Sequence, residues 1–377
     1  MMRVILAGGG TGGHIYPALA LARHLRDMYG SEVLFVGTER GMEKDIVPAA
    51  GFELVRIPLV GLERRLSPRL GKAVLLAGRG VHQARRLLRR FRPDVVVGTG
   101  GYVAGPVVLA ALLSRLPTVI HEQNAIPGFT NVTLARWVDR VCVSFPDCEQ
   151  FFPRGSRVAV TGNPRASEAV QAAGKKDDFI PGLLKGAPLL LCVGGSHGAA
   201  RLNDTFSESV EEVLSELDAQ IVYITGQRYF EQVDKKLGAL HLRFPHRLHV
   251  LPFHPNLPGI LARTNLVVSR AGATTLSEIT ALGVPAILVP SPNVTKNHQE
   301  FNAGLLAKRD AAVMLRETEL DKLKLSSMII ELLRDRDRLG RMSAACSELG
   351  YPDAVKRLSA VLHDVAEKYN KRKHRQQ

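Results

Sequence analysis

The sequence is poor in the features that mark secreted, membrane-spanning or disordered chains. Its 377 residues hold only four cysteines, Cys142, Cys148, Cys192 and Cys346, mostly in apolar surroundings and with no Cys-x-x-Cys pair. Buried free thiols in a reducing cytosol are therefore expected, rather than a disulfide framework. A bilayer-spanning helix needs roughly 20 apolar residues; the longest apolar stretch, Val103 to Leu113, is shorter and contains Gly105-Pro106. The chain begins on a strand-like run without a charged leader or a small-residue cleavage site, so secretion is not expected. Acidic residues are in short supply, 36 against 50 Lys and Arg, leaving a formal charge of +14. Such an excess calls for an anionic partner: nucleic acid, an acidic membrane surface or a phosphorylated substrate. With 45% hydrophobic and 23% charged residues, extended disorder is excluded outside the basic tail that starts at Lys368.

What is present is a rhythm of apolar runs alternating with helical patterns. The length favours two domains. Runs at Val4 to Ala7, Val33 to Val36, Leu54 to Ile57, Val95 to Val97, Thr118 to Ile120 and Val141 to Val143 predict a parallel sheet wrapped by helices. Beyond Thr161-Gly162-Asn163-Pro164 and the polar stretch Gly174 to Gly186, the pattern restarts at Leu189 to Val193 and continues at Ile221 to Thr225, Leu248 to Leu251, Leu266 to Ser269 and Ala286 to Val289. From Asp321 the chain reads as helical, with Leu323, Leu332, Leu333, Leu339, Met342, Leu358, Val361, Leu362 and Val365 as apolar markers. Two similar α/β halves in tandem, with a cleft between them, are expected.

Each half opens with a strand, a glycine loop and a helix. In the first, Gly8-Gly9-Gly10-Thr11-Gly12-Gly13-His14 follows the initial run; in the second, Gly194-Gly195-Ser196-His197-Gly198 follows Val193. Glycines let backbone N–H groups approach an anion closely, and the following helix N-terminus adds partial positive charge. Gly8, Gly10 and Gly13 also fit a dinucleotide fingerprint, which alone could equally be a tight helix-on-strand turn. Glu39 sits where a ribose-binding acid would lie, with Arg40 beside it suiting a 2′-phosphate, so an oxidoreductase stays open at this point. Two glycine loops instead of one argue against it. The stretch Ser269-Arg270-Ala271-Gly272-Ala273-Thr274-Thr275-Leu276-Ser277-Glu278 passes from a strand through a small-residue turn into a helix offering N–H groups and hydroxyls to a diphosphate. Glu278 either accepts both hydroxyls of a ribose or is simply an acid favoured near a helix start.

Six motifs in this order, Gly-Gly-Thr-Gly-Gly-His at 9–14, Gly-Gly-Tyr-Val-Ala-Gly-Pro at 100–106, His-Glu-Gln-Asn at 121–124, Gly-Asn-Pro at 162–164, Gly-Gly-Ser-x-Gly-Ala at 194–199 and the Ser-Arg-Ala-Gly-Ala stretch through Glu278, closely resemble the MurG family of peptidoglycan glycosyltransferases over nearly the whole chain. The resemblance implies a GT-B fold: α/β, two Rossmann-like parallel-sheet domains with an interdomain cleft. The expected boundaries are 1–162 for an acceptor- and membrane-side domain, joined by a C-terminal helix at 346–377, and 163–345 for a UDP-GlcNAc-binding domain. It implies an inverting transfer of GlcNAc from UDP-GlcNAc to the C4 hydroxyl of MurNAc in undecaprenyl-diphospho-MurNAc-pentapeptide, lipid I, giving lipid II for the cell wall, and with it cell shape and division. The family's pattern places Glu278 on the ribose, Ala273, Thr274, Thr275, Leu276 and Ser277 along the diphosphate and sugar, Ser196 near the phosphates, Asn124 and Gln299 on GlcNAc, and the backbone near His254 on uracil. Thr11, Gly12, Gly13 and Tyr102 are expected on the substrate side of the first domain. Arg165 follows Pro164 directly, one place early for the family's arginine, and Arg201 is likewise displaced and left out of the site. His14 is the favoured base, since its ordinary pKa lies near working pH; positioning of the acceptor is the other reading, and His121 and Glu122 are rivals for the proton.

No cofactor or metal is expected. The sole Asp-x-Asp, Asp335-Arg336-Asp337, falls in a charged helical region, and loop amides and helix N-termini can bear leaving-group charge. The positive charge concentrates between Arg64 and Arg92, which hold ten Arg or Lys and no acid. Helical projection puts Leu70, Val74, Ala77, Val81, Ala84, Leu88 and Phe91 on a core stripe and Lys72, Leu75, Arg79, Arg86 and Arg90 opposite, with Leu76 and Leu87 flanking. Leucines among basic residues suit an anionic lipid surface, placing the protein peripherally on the cytoplasmic face of the cell membrane; a solvated basic helix is the plain alternative. Nucleic acid is not expected, because the only aromatic there, Phe91, belongs to the core. Competing functions are a UDP-sugar transferase acting on another lipid, a UDP-sugar epimerase and a non-catalytic nucleotide-sugar binding module.

Overall fold

In the computed structural model the chain forms two compact units, residues 1–167 with 353–377, and residues 168–352. The structure describes residues 1–58, 68–174, 180, 182–184, 186–194 and 199–375, with the side chains of 68–77, 295, 374 and 375 left aside.

The first unit runs β1 (Arg3–Gly8), α1 (Gly12–Tyr29), β2 (Glu32–Thr38), α2 (Glu43–Ala49), β3 (Glu53–Ile57), α3 (Pro68–Phe91), β4 (Val95–Gly100), α4 (Ala104–Leu113), β5 (Thr118–Glu122), α5 (Phe129–Leu134), β6 (Arg140–Val143) and β7 (Val158–Val160). Its strands pair in parallel in the order β3-β2-β1-β4-β5-β6-β7. Val4, Ile5, Leu6 and Ala7 are fully buried, as are Val95, Val96 and Val97. Helices cover both faces of a parallel sheet, so its central strands read as unbroken apolar runs. α1 stops at Gly30, whose φ of 59° gives the left-handed cap that returns its N–H to the Arg26 carbonyl.

After α6 (Pro164–Ala173) the second unit runs β8 (Leu189–Val193), α7 (Ala200–Glu216), β9 (Gln220–Ile224), α8 (Phe230–Arg243), β10 (Leu248–Leu251), α9 (Leu257–Leu261), β11 (Leu266–Ser269), α10 (Ala273–Leu282), β12 (Ala286–Leu288), α11 (His298–Ala307), β13 (Ala312–Met314), α12 (Lys322–Arg334) and α13 (Arg336–Glu348). Its parallel order is β10-β9-β8-β11-β12-β13. The last helix, α14 (Ala354–Arg375), belongs to the first unit. Val355, Leu358, Leu362 and Val365 recur at helical spacing and join the core formed with Leu21 and Leu25 of α1, while the Val355 N–H donates to Ser167 Oγ at 3.0 Å.

The division lies at 167/168 and 352/353, several residues beyond the 162/163 and 345/346 read from sequence. α13 stays with the second sheet to its end: the Cys346 thiol contacts the Val284 carbonyl at 3.3 Å, and Gly350 packs on Thr280. Leu323, one of the apolar markers of this helical stretch, is 67% exposed on the first turn of α12. The strands β7 and β13, three residues each, are not among the runs named from the sequence.

In both sheets the strand order reverses beside the first strand, between β1 and β4 and between β8 and β11. In doubly wound sheets the connections leaving the two strands at such a point run to opposite faces of the sheet, and ligands bind at its carboxyl edge. The glycine-rich stretches at 8–14, 98–101 and 270–272 occupy these positions.

Candidate active site

At the first switch point the β1 and β4 loops press together. The β1–β4 register shifts by one residue, pairing Ala7 with Gly98 but Gly8 with Gly100, so Thr99 is the extra residue. The Thr99 hydroxyl donates to the His14 carbonyl at 3.1 Å. Close approach explains the glycines: a β-carbon on Gly8 would stand 2.0 Å from Thr99 Oγ1, and one on Gly101, where φ is +80°, 2.3 Å from the Gly9 carbonyl oxygen.

His14 is the third residue of α1, whose N-cap is the exposed Thr11. Gly12 and Gly13 precede it and, like His14 itself, are partly exposed. Its Nδ1 lies 3.1 Å from Gln123 Oε1. The Gln123 amide nitrogen donates to the Thr99 carbonyl at 2.8 Å and reaches His121 Nδ1 at 3.1 Å. His121 Nε2 in turn meets the Gly162 carbonyl at 3.0 Å. His121 is fully buried, and burial pushes its pKa below the ordinary value, with His14 adding repulsion while the Gly162 carbonyl and the Glu122 charge oppose the shift. Of the three rivals for the proton, His14 alone is partly exposed, and no described residue bonds its Nε2.

Glu122 is 2% exposed and takes four donors: the N–H and side-chain amide of Asn124 at 3.0 and 3.3 Å, the Gly128 N–H at 2.9 Å and Asn131 Nδ2 at 2.7 Å. That geometry orders the loop from 123 to 131 and places Asn124. Arg165, in the first turn of α6, holds its guanidinium 5.8 Å from the ring centroid of Tyr16 on α1, in cation–π range. Tyr102 is 61% exposed beyond β4.

Sequence reasoning missed Glu43. Glu39 and Arg40, the pair weighed as a cofactor contact, are both exposed, whereas Glu43 is fully buried under the first glycine loop. It accepts the Gly10 N–H at 2.8 Å, the Thr38 N–H at 2.7 Å and the Thr38 hydroxyl at 2.7 Å. Burial alone would raise its pKa, but these donors outweigh it and hold the carboxyl below its usual range. The available signal was glycine: β-carbons at Gly9, Gly37 or Gly41 would each lie within 2.5 Å of this side chain.

In the second unit α10 starts directly after β11, at Ala273, with Gly272 as an N-cap that has no side chain to close it. The first N–H groups of α10 lack intrahelical partners. Thr274 Oγ1 beside them is buried without a partner among the described residues. The Ser277 hydroxyl donates to the Ala273 carbonyl at 2.7 Å, inside the helix. Thr275 is partly exposed, Leu276 fully buried, and Glu278, one turn in, is 4% exposed. The preceding turn is braced by Asn302 Nδ2 on the Ala271 carbonyl at 3.1 Å and by Arg270, which pairs with Glu317 and bonds the Val289 carbonyl at 3.1 Å. Gln299 Oε1 accepts the Ser291 N–H at 2.9 Å, and His254 Nδ1 the Asn256 N–H at 3.2 Å. Ser196 lies outside the described residues. Arg201, left out of the site, donates to the Leu320 carbonyl at 2.9 Å.

On α3, Ala84, Leu88 and Phe91 are buried while Arg79, Arg86 and Arg90 are exposed; Lys72, Leu75 and Leu76 lie on the part of the helix whose side chains are not described. Leu109 and Leu113 of the adjoining α4 are exposed. No described helix is long and apolar enough to cross a membrane. Asp335 is the N-cap of α13, accepting the Arg338 N–H at 2.8 Å. All four cysteines are free and buried, and burial raises their thiols, those of Cys142 and Cys346 to about 12.

Residues 4–143 match the glycosyltransferase family 28 N-terminal domain, and residues 189–358 its C-terminal domain. A relative from Halalkalibacterium halodurans, the UDP-N-acetylglucosamine--N-acetylmuramyl-(pentapeptide) pyrophosphoryl-undecaprenol N-acetylglucosamine transferase, is 44% identical over 366 residues, covering 97% of this chain and all of its own. The solved MurG of Acinetobacter baumannii is 30% identical with a TM-score of 0.77, covering 97% of this chain and 100% of that one. The Neisseria meningitidis UDP-GlcNAc 2-epimerase bound to UDP-GlcNAc reaches a TM-score of 0.67 over 97% of this chain and 100% of its own, but at 14% identity it shares the fold alone. With two parallel-sheet α/β units of the GT-B class and a full-length match at this identity, the chain belongs to the MurG family of glycosyltransferases.

Proposed function

We propose that this protein transfers GlcNAc from UDP-GlcNAc to the C4 hydroxyl of the MurNAc unit of undecaprenyl-diphospho-MurNAc-pentapeptide, with inversion, to make lipid II. The observation that carries the reading is His14: a partly exposed imidazole at the switch point of the first sheet, tied down through Nδ1, with no described residue on Nε2. An attacking hydroxyl must lose a proton as it reaches the anomeric carbon, and a held imidazole suits that task at neutral pH. His121 and Glu122 stand behind it as positioning groups, since both are buried and bonded. Thr11, Gly12, Gly13, Tyr102, Asn124 and Arg165 serve the acceptor and the transferred sugar.

The second unit holds the donor. The open N-terminus of α10 and the buried hydroxyl of Thr274 suit the diphosphate, with Ala273, Thr275, Leu276 and Ser277 lining its path and Ser196, outside the described residues, assigned to it from the sequence pattern. Glu278 takes the ribose hydroxyls, Gln299 the GlcNAc, and the backbone at His254 the uracil. As UDP departs, the α10 amides stabilise its growing charge. The basic face of α3, exposed at Arg79, Arg86 and Arg90, rests on anionic lipid at the cytoplasmic face of the cell membrane, where a polyprenyl-linked acceptor is confined; Lys72, Leu75 and Leu76 are assigned to the same surface from the sequence pattern.

Purified protein incubated with labelled UDP-GlcNAc and a lipid I analogue tests the reading. Labelled lipid with stoichiometric UDP is expected. Interconverted nucleotide sugar without lipid product would identify an epimerase, and label on a different lipid would move the acceptor assignment. His14→Ala is expected to cut turnover by about 10²–10⁴-fold with UDP affinity little changed; near-normal turnover would remove His14 as the base.

A further inference from the structure

The hydrogen bonds behind His14 have a direction that chemistry determines. Gln123 Nε2 lies 2.8 Å from the Thr99 carbonyl and 3.2 Å from the carbonyl of His121, two residues before it. Carbonyl oxygens only accept, so the NH₂ end of the amide must face them, and Oε1 must face His14. On the far side, His121 Nε2 lies against the Gly162 carbonyl, again only an acceptor, so that nitrogen carries a proton. A neutral His121 then offers the lone pair of Nδ1 to the Gln123 amide, and this fits a fully buried imidazole whose pKa burial lowers. The chain of donors therefore runs from His14 Nδ1 to Gln123, from Gln123 to His121 and Thr99, and from His121 to Gly162.

Resting on the reading of His14 as the base, we propose that Gln123 is a positioning residue for the transfer, its oriented amide holding His14 as the Nδ1–H tautomer so that the Nε2 lone pair is left to take the acceptor's hydroxyl proton. In the opposite tautomer two lone pairs, His14 Nδ1 and Gln123 Oε1, would face each other at 3.1 Å, and the nitrogen left for the acceptor would carry a proton already. The step balances without another reactant. The hydroxyl proton passes to Nε2, its oxygen forms the bond to the anomeric carbon, and the bond to the diphosphate oxygen breaks with its electron pair leaving on UDP. His14, now doubly protonated, returns the Nε2 proton to solvent. Gln123 is neutral, so the relay sets the tautomer without placing a charge beside the imidazole.

Side-chain nitrogen NMR on the full-length protein, labelled with ¹⁵N-histidine and held at about pH 8 so that imidazoles are neutral, reads the tautomer directly. A His14→Asn spectrum identifies the signal by difference. The parent is expected to show a protonated Nδ1 and an unprotonated Nε2 at His14. Gln123→Leu is expected to return His14 to the Nε2–H form and to lower kcat by about 10²-fold or more, with KM for UDP-GlcNAc near the parental value. A parental His14 protonated on Nε2 would overturn the relay, as would a Gln123→Leu protein with unchanged tautomer and kcat. If that variant does not fold, the parental spectrum still decides. A normal dependence on His14 with the wrong tautomer defeats the relay alone, whereas near-normal turnover of His14→Ala defeats the base reading beneath it.

Discussion

Gly100 lies so close to His14 that a β-carbon on it would stand 2.5 Å from the imidazole Nδ1. The position also has φ of +109°, a conformation that side chains other than glycine rarely adopt. The register shift at Thr99 brings this glycine level with Gly8 and against the ring. Backbone and imidazole thus share one space, and the ring's place depends on a missing methyl group.

Gly100→Ala should therefore impair the first unit twice, by backbone strain of roughly 1–3 kcal/mol and by pushing the His14 ring off Gln123. Displacements of about 1 Å at reacting groups cost on the order of 10²-fold in rate, so kcat should fall by that factor while UDP affinity, which the proposed reading assigns to the second unit, stays near parental by calorimetry. Parental kcat in a folded Gly100→Ala protein would show that the ring does not need this space.

Much of this arrangement was legible from residues alone, because glycines and strand ends carry local signals. The runs at Val4 to Ala7 and Val95 to Val97 are apolar without alternation, as strands buried on both faces must be, and the loops that follow them announce the switch point. Gln123 and Glu43 were not legible as site residues. Each acts through partners far away in sequence, Gln123 on Thr99 and His14, Glu43 on Gly10 as well as the nearby Thr38, and nothing in spacing reports a contact across 24, 109 or 33 positions.

Glu43→Gln should loosen the first glycine loop. A carboxylate accepts on both oxygens, and here both face donors: the Gly10 N–H reaches one, the Thr38 N–H and hydroxyl the other. An amide would turn an NH₂ group toward one of them, leaving a buried donor unpaired at a cost of about 1–3 kcal/mol. Its folded pKa is depressed, so the carboxylate's contribution is present above the unfolded value and is lost as pH falls through the folded one. Thermal melts at neutral pH should show the variant less stable than the parent, and the gap should close in acid below the usual carboxylate range. A gap that persists unchanged in acid would show that the charge is not what the loop uses.

Histidine protonation should erode stability at milder pH. The pKa values of His121, His24 and His249 are all lowered by burial from 6.5. A lowered folded pKa means the unfolded chain binds protons first, so stability is complete above 6.5 and declines as pH drops below it toward the folded values. Among the described histidines, these three share that slope in the parent. His121→Gln removes one of them, so its melting temperature should change less steeply with pH between neutral and about pH 5. An identical slope in parent and variant would mean that His121 does not contribute.

Reversing Arg79, Arg86 and Arg90 to Glu tests the lipid-facing role of α3 without touching its buried stripe of Ala84, Leu88 and Phe91. All three arginines are exposed, so folding should be preserved, which melting temperature checks. Each basic residue near an acidic headgroup contributes about 1 kcal/mol, and losing three corresponds to a fall of at least about 10²-fold in partitioning onto anionic vesicles. Flotation with phosphatidylglycerol vesicles should show that loss, and added salt should weaken the parent in the same direction because the attraction is screened. Neutral vesicles should bind parent and variant alike. Equal flotation of the two on anionic vesicles would mean that the charge is a solvated face.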